Sequence, residues 1–221
     1  MQAQAEFVDE LIGEIHNENE SLKAQVQELG ETIQELMKKD IDLDAARQQL
    51  IHLDTFKNEL IRERLTHRKL DTWKSPAMLR GIELEPLARA WYEVKYNVMV
   101  DQVAIVKHPT IEGGQCSPDG IVTSKNHLIE IKVPNPENHL DNILTEGKQL
   151  EQYYDQCMWQ LACMPEMEFC DLISFDPEMP DNLQGYVKRI YRDDEYIKQV
   201  EEKVILFLNE IETIVNNLKE I

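Results

Sequence analysis

Cysteine is scarce in this sequence: four residues of 221, at Cys116, Cys157, Cys163 and Cys170. No two form a C-x-x-C pair, which argues against a zinc site and leaves free, mostly buried thiols in a reducing compartment as the expectation. Glycine and proline are also few, 8 and 9 residues, and no Gly/Pro-rich linker or internal repeat divides the chain. No apolar run is long enough to span a bilayer, so no membrane partner is expected. No charged-then-apolar leader opens the sequence, which makes a cytoplasmic location the default expectation. Basic residues are outnumbered, 23 Lys and Arg against 42 Asp and Glu, giving a net charge of −19. That balance excludes a protein that holds nucleic acid by overall charge alone.

The charge is uneven. Residues 1–50 hold 12 acids and 4 bases, whereas residues 51–80 hold 4 acids and 7 bases. The basic run comprises Lys57, Arg62, Arg64, Arg68, Lys69, Lys74 and Arg80. It suits either a nucleic-acid backbone or the solvated face of an amphipathic helix. Residues 8–36 carry a heptad, with Val8, Ile15, Leu22, Leu29 and Leu36 at d and Ile12, Asn19, Val26 and Ile33 at a. Mostly β-branched a residues, mainly Leu at d and a single Asn at a favour a parallel two-stranded coiled coil. The alternative is a helix packed on its own chain. The pattern stops after Leu36, where the next a positions are Asp40 and Arg47. The expected organisation is a coiled-coil helix over 1–39, a connector over 40–54 and a catalytic domain over 55–221.

The most informative stretch is Ser117-Pro118-Asp119-Gly120-Ile121-Val122 followed by Leu128-Ile129-Glu130-Ile131-Lys132-Val133. Side chains alternate along a strand, so Glu130 and Lys132 share one face and Ile129, Ile131 and Val133 the other. The apolar face anchors the strand in a core. The polar face presents an acid beside an amine at a cleft edge, with Asp119 nearby. Hard cations such as Mg²⁺ take oxygen ligands, commonly one or two carboxylates plus substrate phosphate. A lysine next to such a site can position a water or stabilise charge on a phosphorus centre. The group suits phosphodiester hydrolysis.

The surrounding residues resemble the lambda-exonuclease (YqaJ-like viral recombinase) family of PD-(D/E)xK nucleases. Four blocks carry the resemblance: Met78–Arg89 followed by Trp91-Tyr92-Glu93; Cys116–Gly120; Glu130–Pro136 with His139 beyond; and Tyr153–Gln156 through Gln160–Ala162, followed by Ser174–Pro177. By that resemblance Asp119 and Glu130 are the metal carboxylates and the Ile131 carbonyl is a further ligand. Lys132 is the catalytic lysine, and Glu85 is the helical glutamate that completes the acidic cluster. Gln156 lies beside the active site. Family members often carry a second glutamine two residues on, where this chain has Met158. His139 reads as structural or DNA-proximal. The cysteine gaps are wider than those of related nucleases that hold an iron–sulfur cluster. The Arg- and Gly-containing segment leading to Thr-Ala-Ser, with which the family holds a 5′-phosphate, has no counterpart between Met1 and Asp54.

The expected fold is α/β, a restriction-endonuclease-like core with a mixed central sheet flanked by helices. Helices are predicted over Phe56–Leu65, Ala77–Val94, Leu150–Ala162 and Asp194–Leu218. Strands are predicted over Val98–Lys107, Gly120–Val122, Leu128–Val133, Glu168–Phe175 and Gly185–Tyr191, in the order of an antiparallel nuclease core. The resemblance implies a Mg²⁺-dependent exonuclease, with Mn²⁺ as the other candidate ion. It would degrade one strand of double-stranded DNA ends, 5′ to 3′, and hand the exposed 3′ strand to a single-strand annealing protein. It also implies a homo-oligomer, commonly a trimer, against the dimer favoured by the heptad. If the chain is phage-encoded, the bacterial host cytoplasm is its compartment. The rival reading is a non-catalytic assembly or DNA-binding protein with a relic nuclease fold.

Overall fold

The computed structural model describes residues 50–69 and 73–221, together with Gln27, Glu31 and Gln48. Of the heptad of 8–36 only Gln27 and Glu31 are described, so its a and d positions lie outside the described residues. The chain divides into two units, 1–63 and 64–221. Described residues of the first carry most of helix α1 (50–66). The second holds every element that follows.

Local sequence signals set the helices. Ser75 accepts a hydrogen bond from the Met78 amide and Pro76 occupies the first turn, so α2 (Pro76–Tyr96) starts where an N-cap and an N1 proline coincide. It ends at Asn97, whose left-handed φ of 50° lets the chain turn away. Asn135 and Pro136 repeat the device at α3 (Pro136–Leu144), where Asn135 accepts from the Asn138 amide. The predicted helix at Leu150 begins instead as a 3₁₀ segment, Lys148–Tyr153, before α4 (Tyr154–Cys163). Tight 3₁₀ turns are common at helix starts. The C-terminal helix α5 (Asp194–Lys219) buries Ile197, Ile211 and Val215 of its apolar stripe and leaves Leu218 exposed.

Two short strands, β1 (Val106–Lys107) and β2 (Gln115–Cys116), pair antiparallel. The central sheet contains β3 (Gly120–Val122), β4 (His127–Lys132), β5 (Phe169–Phe175) and β6 (Gly185–Tyr191), in that spatial order. The outer pairs are antiparallel, but β4 and β5 run parallel, with Glu130 opposite Leu172. A parallel pair needs a long crossover, and residues 133–168 provide it with α3 and α4. The sheet is therefore mixed, as the expected fold class has it, and the parallel β4–β5 pair corrects only the antiparallel order given for the strands. The predicted strand Val98–Lys107 shrinks to Val106–Lys107 plus a single bridge between Asp101 and Ile121. Side chains take its backbone groups: Glu93 Oε1 accepts from the Val100 amide at 2.8 Å, and the Ser117 hydroxyl donates to the Ala104 carbonyl.

Each face of the sheet has its own core. Ile129, Ile131, Ile173 and Phe175 pack against Ala88 and Tyr92 of α2. Leu128, Cys170 and Leu172 pack against Cys157, Met158 and Leu161 of α4. Glu130 alternates with the isoleucines and lies on the α4 side, only 4% exposed. The polar face of β4 is thus roofed by a helix rather than open along a cleft edge. The four thiols are free, and Cys157, Cys163 and Cys170 are buried.

A polar network crosses the sheet at the start of β5. Fully buried Asp171 accepts from Arg189 Nε and Nη2, both at 2.8 Å, and from the Tyr92 hydroxyl at 2.6 Å. His127 Nε2 lies 3.0 Å from Tyr92 Oη, and its imidazole stacks on Phe169. Burial pushes the His127 pKa below its ordinary value.

Candidate active site

Asp119 closes the turn between β2 and β3. Its Oδ2 accepts the Ile131 amide at 2.6 Å, beyond the point where β3 stops pairing with β4. A residue's N–H and C=O point to the same side of a strand, so the Ile131 carbonyl also faces Asp119. Gly120 has no positive φ, so it is not a turn glycine. It is needed because a Cβ there would lie 2.2 Å from Val100 Cγ1 and 3.1 Å from Ile129 Cγ1.

Glu130 accepts from three side-chain donors. Its Oε1 accepts from Lys132 Nζ at 2.8 Å and from Gln156 Nε2 at 2.7 Å. Its Oε2 accepts from Gln160 Nε2 at 2.6 Å. Lys132 Nζ also donates to Gln156 Oε1 at 3.0 Å and sits 4.3 Å from the centre of the Tyr153 ring. Lysine and glutamine therefore share one carboxylate oxygen, and the ammonium is held over an aromatic face.

Glu85 sits on α2 and accepts from Arg89 Nη2 one turn later. Arg89 Nε donates to the Asp119 carbonyl at 3.2 Å, so this buried guanidinium ties Glu85 to the Asp119 loop. Arg80 reaches the other end of the site. It donates to the Pro134 carbonyl at 2.7 Å and pairs with buried Asp176 at 3.4 Å, which fixes the chain just after Lys132.

The structure thus gathers Asp119, Glu130, Ile131, Lys132 and Gln156, and holds Glu85 beside them through Arg89. His139 is elsewhere. It is fully buried between Ser174 Oγ and the Leu183 carbonyl, each at 2.8 Å, which is a structural position. Sequence reasoning gave no role to Gln160, Arg89 or Tyr153. The spacing of Gln160, one helical turn after Gln156, was the available signal.

Burial and the Glu130 carboxylate push the Asp119 pKa up to about 7, against the Ile131 amide and Lys132, which lower it. Two carboxylates forced together by the fold suit a cation. Among the described residues no three His, Cys, Asp or Glu side chains converge as a metal cage. Mg²⁺ does not need one, since it usually takes one or two carboxylates and keeps several waters. Asp119 and Glu130, with the Ile131 carbonyl, fit that demand.

The raised pKa has a consequence for stability. Between the unfolded value, about 3.9, and about 7, folded Asp119 holds a proton that the unfolded chain has released. Its contribution is fully present below the lower value and is lost as pH rises through the upper one. Metal-free wild type should therefore lose thermal stability relative to Asp119→Asn as pH rises from 4 to 8. Parallel melting curves across that range would mean that Asp119 is ordinary.

The mixed sheet flanked by helices defines a restriction-endonuclease-like α/β core. The chain belongs to the family of the YqaJ-like viral recombinase domain, whose sequence model matches residues 31–165. Among solved structures it is similar to an alkaline exonuclease from Laribacter hongkongensis, LHK-Exo, at 40% identity and a TM-score of 0.69, covering 76% of this chain and 83% of that one. A structure of LHK-Exo in complex with dAMP matches at 38% identity over the same shares, with a TM-score of 0.67. A phage-related exonuclease from Haemophilus somnus 129PT shares the fold, with 14% identity, a TM-score of 0.58, and 74% of this chain and 82% of that one covered. No curated protein matches.

Proposed function

We propose that this chain is a Mg²⁺-dependent DNA exonuclease of the phage recombination type. In this reading it degrades one strand of linear duplex DNA, 5′ to 3′, and leaves a 3′ strand for an annealing protein. The single observation that carries the reading is the juxtaposition of Asp119, Glu130 and the Glu130-bound Lys132 at one end of β4. Family membership and the exonuclease neighbours support it.

Asp119 and Glu130 would hold the ion, with the Ile131 carbonyl as a further ligand and Glu85 completing the acidic cluster. A bound divalent ion neutralises charge on phosphate oxygens and lowers the pKa of a coordinated water. Lys132 donates to an oxygen on which charge develops, or orients the attacking water. Gln156 keeps the lysine and Glu130 in register by bonding to both. Mn²⁺ is the expected substitute. Ca²⁺, with a looser and larger coordination sphere, should support DNA binding with little turnover.

The basic run of 51–80 supplies attraction to the DNA backbone that weakens steeply with salt. In this reading the chain self-associates, as the dimer that the heptad of 8–36 favours or as the trimer that the family resemblance implies. If the Thr-Ala-Ser segment that 1–54 lacks is the family's only 5′-phosphate clamp, 5′-phosphate and 5′-hydroxyl ends should be digested alike.

The test is an incubation with Mg²⁺ of linear duplexes labelled at either end, bearing 5′-phosphate or 5′-hydroxyl, beside covalently closed circles. Linear substrates should be degraded from their 5′ ends and the circles spared. Rapid cutting of circles would replace the exonuclease reading with an endonuclease. Inertness towards every substrate, with Mg²⁺ or Mn²⁺, would favour the non-catalytic alternative.

A further inference from the structure

Gln160 has no role in the reaction proposed above, yet it is the only donor to one of the two oxygens of Glu130 among the described residues. Its Nε2 donates to Glu130 Oε2 at 2.6 Å, while Lys132 and Gln156 both act on Oε1. Gln156 and Gln160 are one turn apart on α4, so both reach β4 from the same helix face. They hold the carboxylate by its two ends. Met158, where a second glutamine often stands in the family, is fully buried in the apolar cluster between α4 and the sheet.

The other half of the same amide shows that packing does not explain this residue. Gln160 is 2% exposed, and its Oε1 is buried without a hydrogen-bond partner among the described residues. A buried amide oxygen left unpaired carries a desolvation cost that a leucine or methionine of similar size avoids. The cost is offset only through the N–H that reaches Glu130. An ionised carboxylate is acceptor-only, so this bond also fixes which way the amide points.

We infer that Gln160 is a positioning residue for divalent-metal binding: its amide fixes the orientation of the Glu130 carboxylate from the Oε2 side, while Gln156 and Lys132 fix it from the other. The inference rests on Glu130 being a metal ligand, as the functional reading has it. Groups that orient a metal ligand through a hydrogen bond typically change metal affinity or activity by about 10–100-fold when removed. Gln160 does not reach substrate in this role, so its loss should act on the metal and not on the DNA.

The experiment compares wild type with Gln160→Met and Gln160→Leu, which lack the donor, and with Gln160→His, which restores an N–H. Mn²⁺ binding to the full chain is measured by calorimetry without DNA. Cleavage is then measured across Mn²⁺ concentrations, and KM for DNA at saturating Mn²⁺. The donor-less variants should bind Mn²⁺ about 10–100-fold more weakly, with KM for DNA unchanged and Gln160→His regaining part of the affinity. Wild-type Mn²⁺ affinity in folded donor-less variants would overturn the inference and leave the functional reading standing. Loss of cooperative unfolding in both donor-less variants would assign Gln160 to the core and also overturn it. Failure of the wild type itself to bind Mn²⁺ would overturn the metal site, and the inference with it.

Discussion

Lys132→Ala should lower the rate of DNA cleavage at saturating Mg²⁺ by about 10²–10³-fold, the scale expected when a donor to developing charge is removed. Mn²⁺ binding, measured by calorimetry, should be largely retained. The geometry separates the two effects. Lys132 is one of three donors to Glu130, and its removal leaves Gln156 on Oε1 and Gln160 on Oε2. Glu130→Ala and Asp119→Ala should instead lose both metal binding and cleavage, because each removes a proposed ligand. Asp119→Asn is the cleaner variant, since alanine there would also strip the Ile131 amide of its acceptor. Full nuclease activity in Lys132→Ala would remove the lysine from the chemistry.

The largest expected loss of stability lies away from the active site. Asp171→Ala should destabilise the protein by about 2–4 kcal/mol, measured by urea unfolding. Asp171 is fully buried and accepts three hydrogen bonds, two from Arg189 and one from Tyr92. Alanine leaves the buried Tyr92 hydroxyl without its acceptor. It also leaves a guanidinium without its counter-charge, although Arg189 is 41% exposed and can be resolvated. That exposure places the estimate towards the lower end of the range for a broken buried pair, about 3–5 kcal/mol. Asp171→Asn keeps an acceptor for Tyr92 and should lose less. A loss below about 1 kcal/mol in Asp171→Ala, the scale of a single ordinary hydrogen bond, would show that the network relaxes freely.

Local pattern determined much of this protein. The alternation from Leu128 to Val133 placed Glu130 and Lys132 on one face and the isoleucines on the other, because strand geometry allows no other arrangement. Ser75-Pro76 and Asn135-Pro136 start α2 and α3 through capping chemistry that acts within four residues, although α3 is not among the predicted helices. The Asp119, Glu130 and Lys132 set was legible from residue types and order. Tertiary structure decided the rest. Whether β4 pairs parallel or antiparallel with β5 depends on the path of the crossover, which no local spacing encodes. That crossover lays α4 over the polar face of β4, so Glu130 is buried and Gln160 meets it across 30 positions of chain. Arg89 binds the Asp119 loop across another 30 positions, and Gly120 is required by the approach of Val100 and Ile129. A sequence pattern reports which side a residue faces, whereas its partner there is set by the long-range packing of the chain.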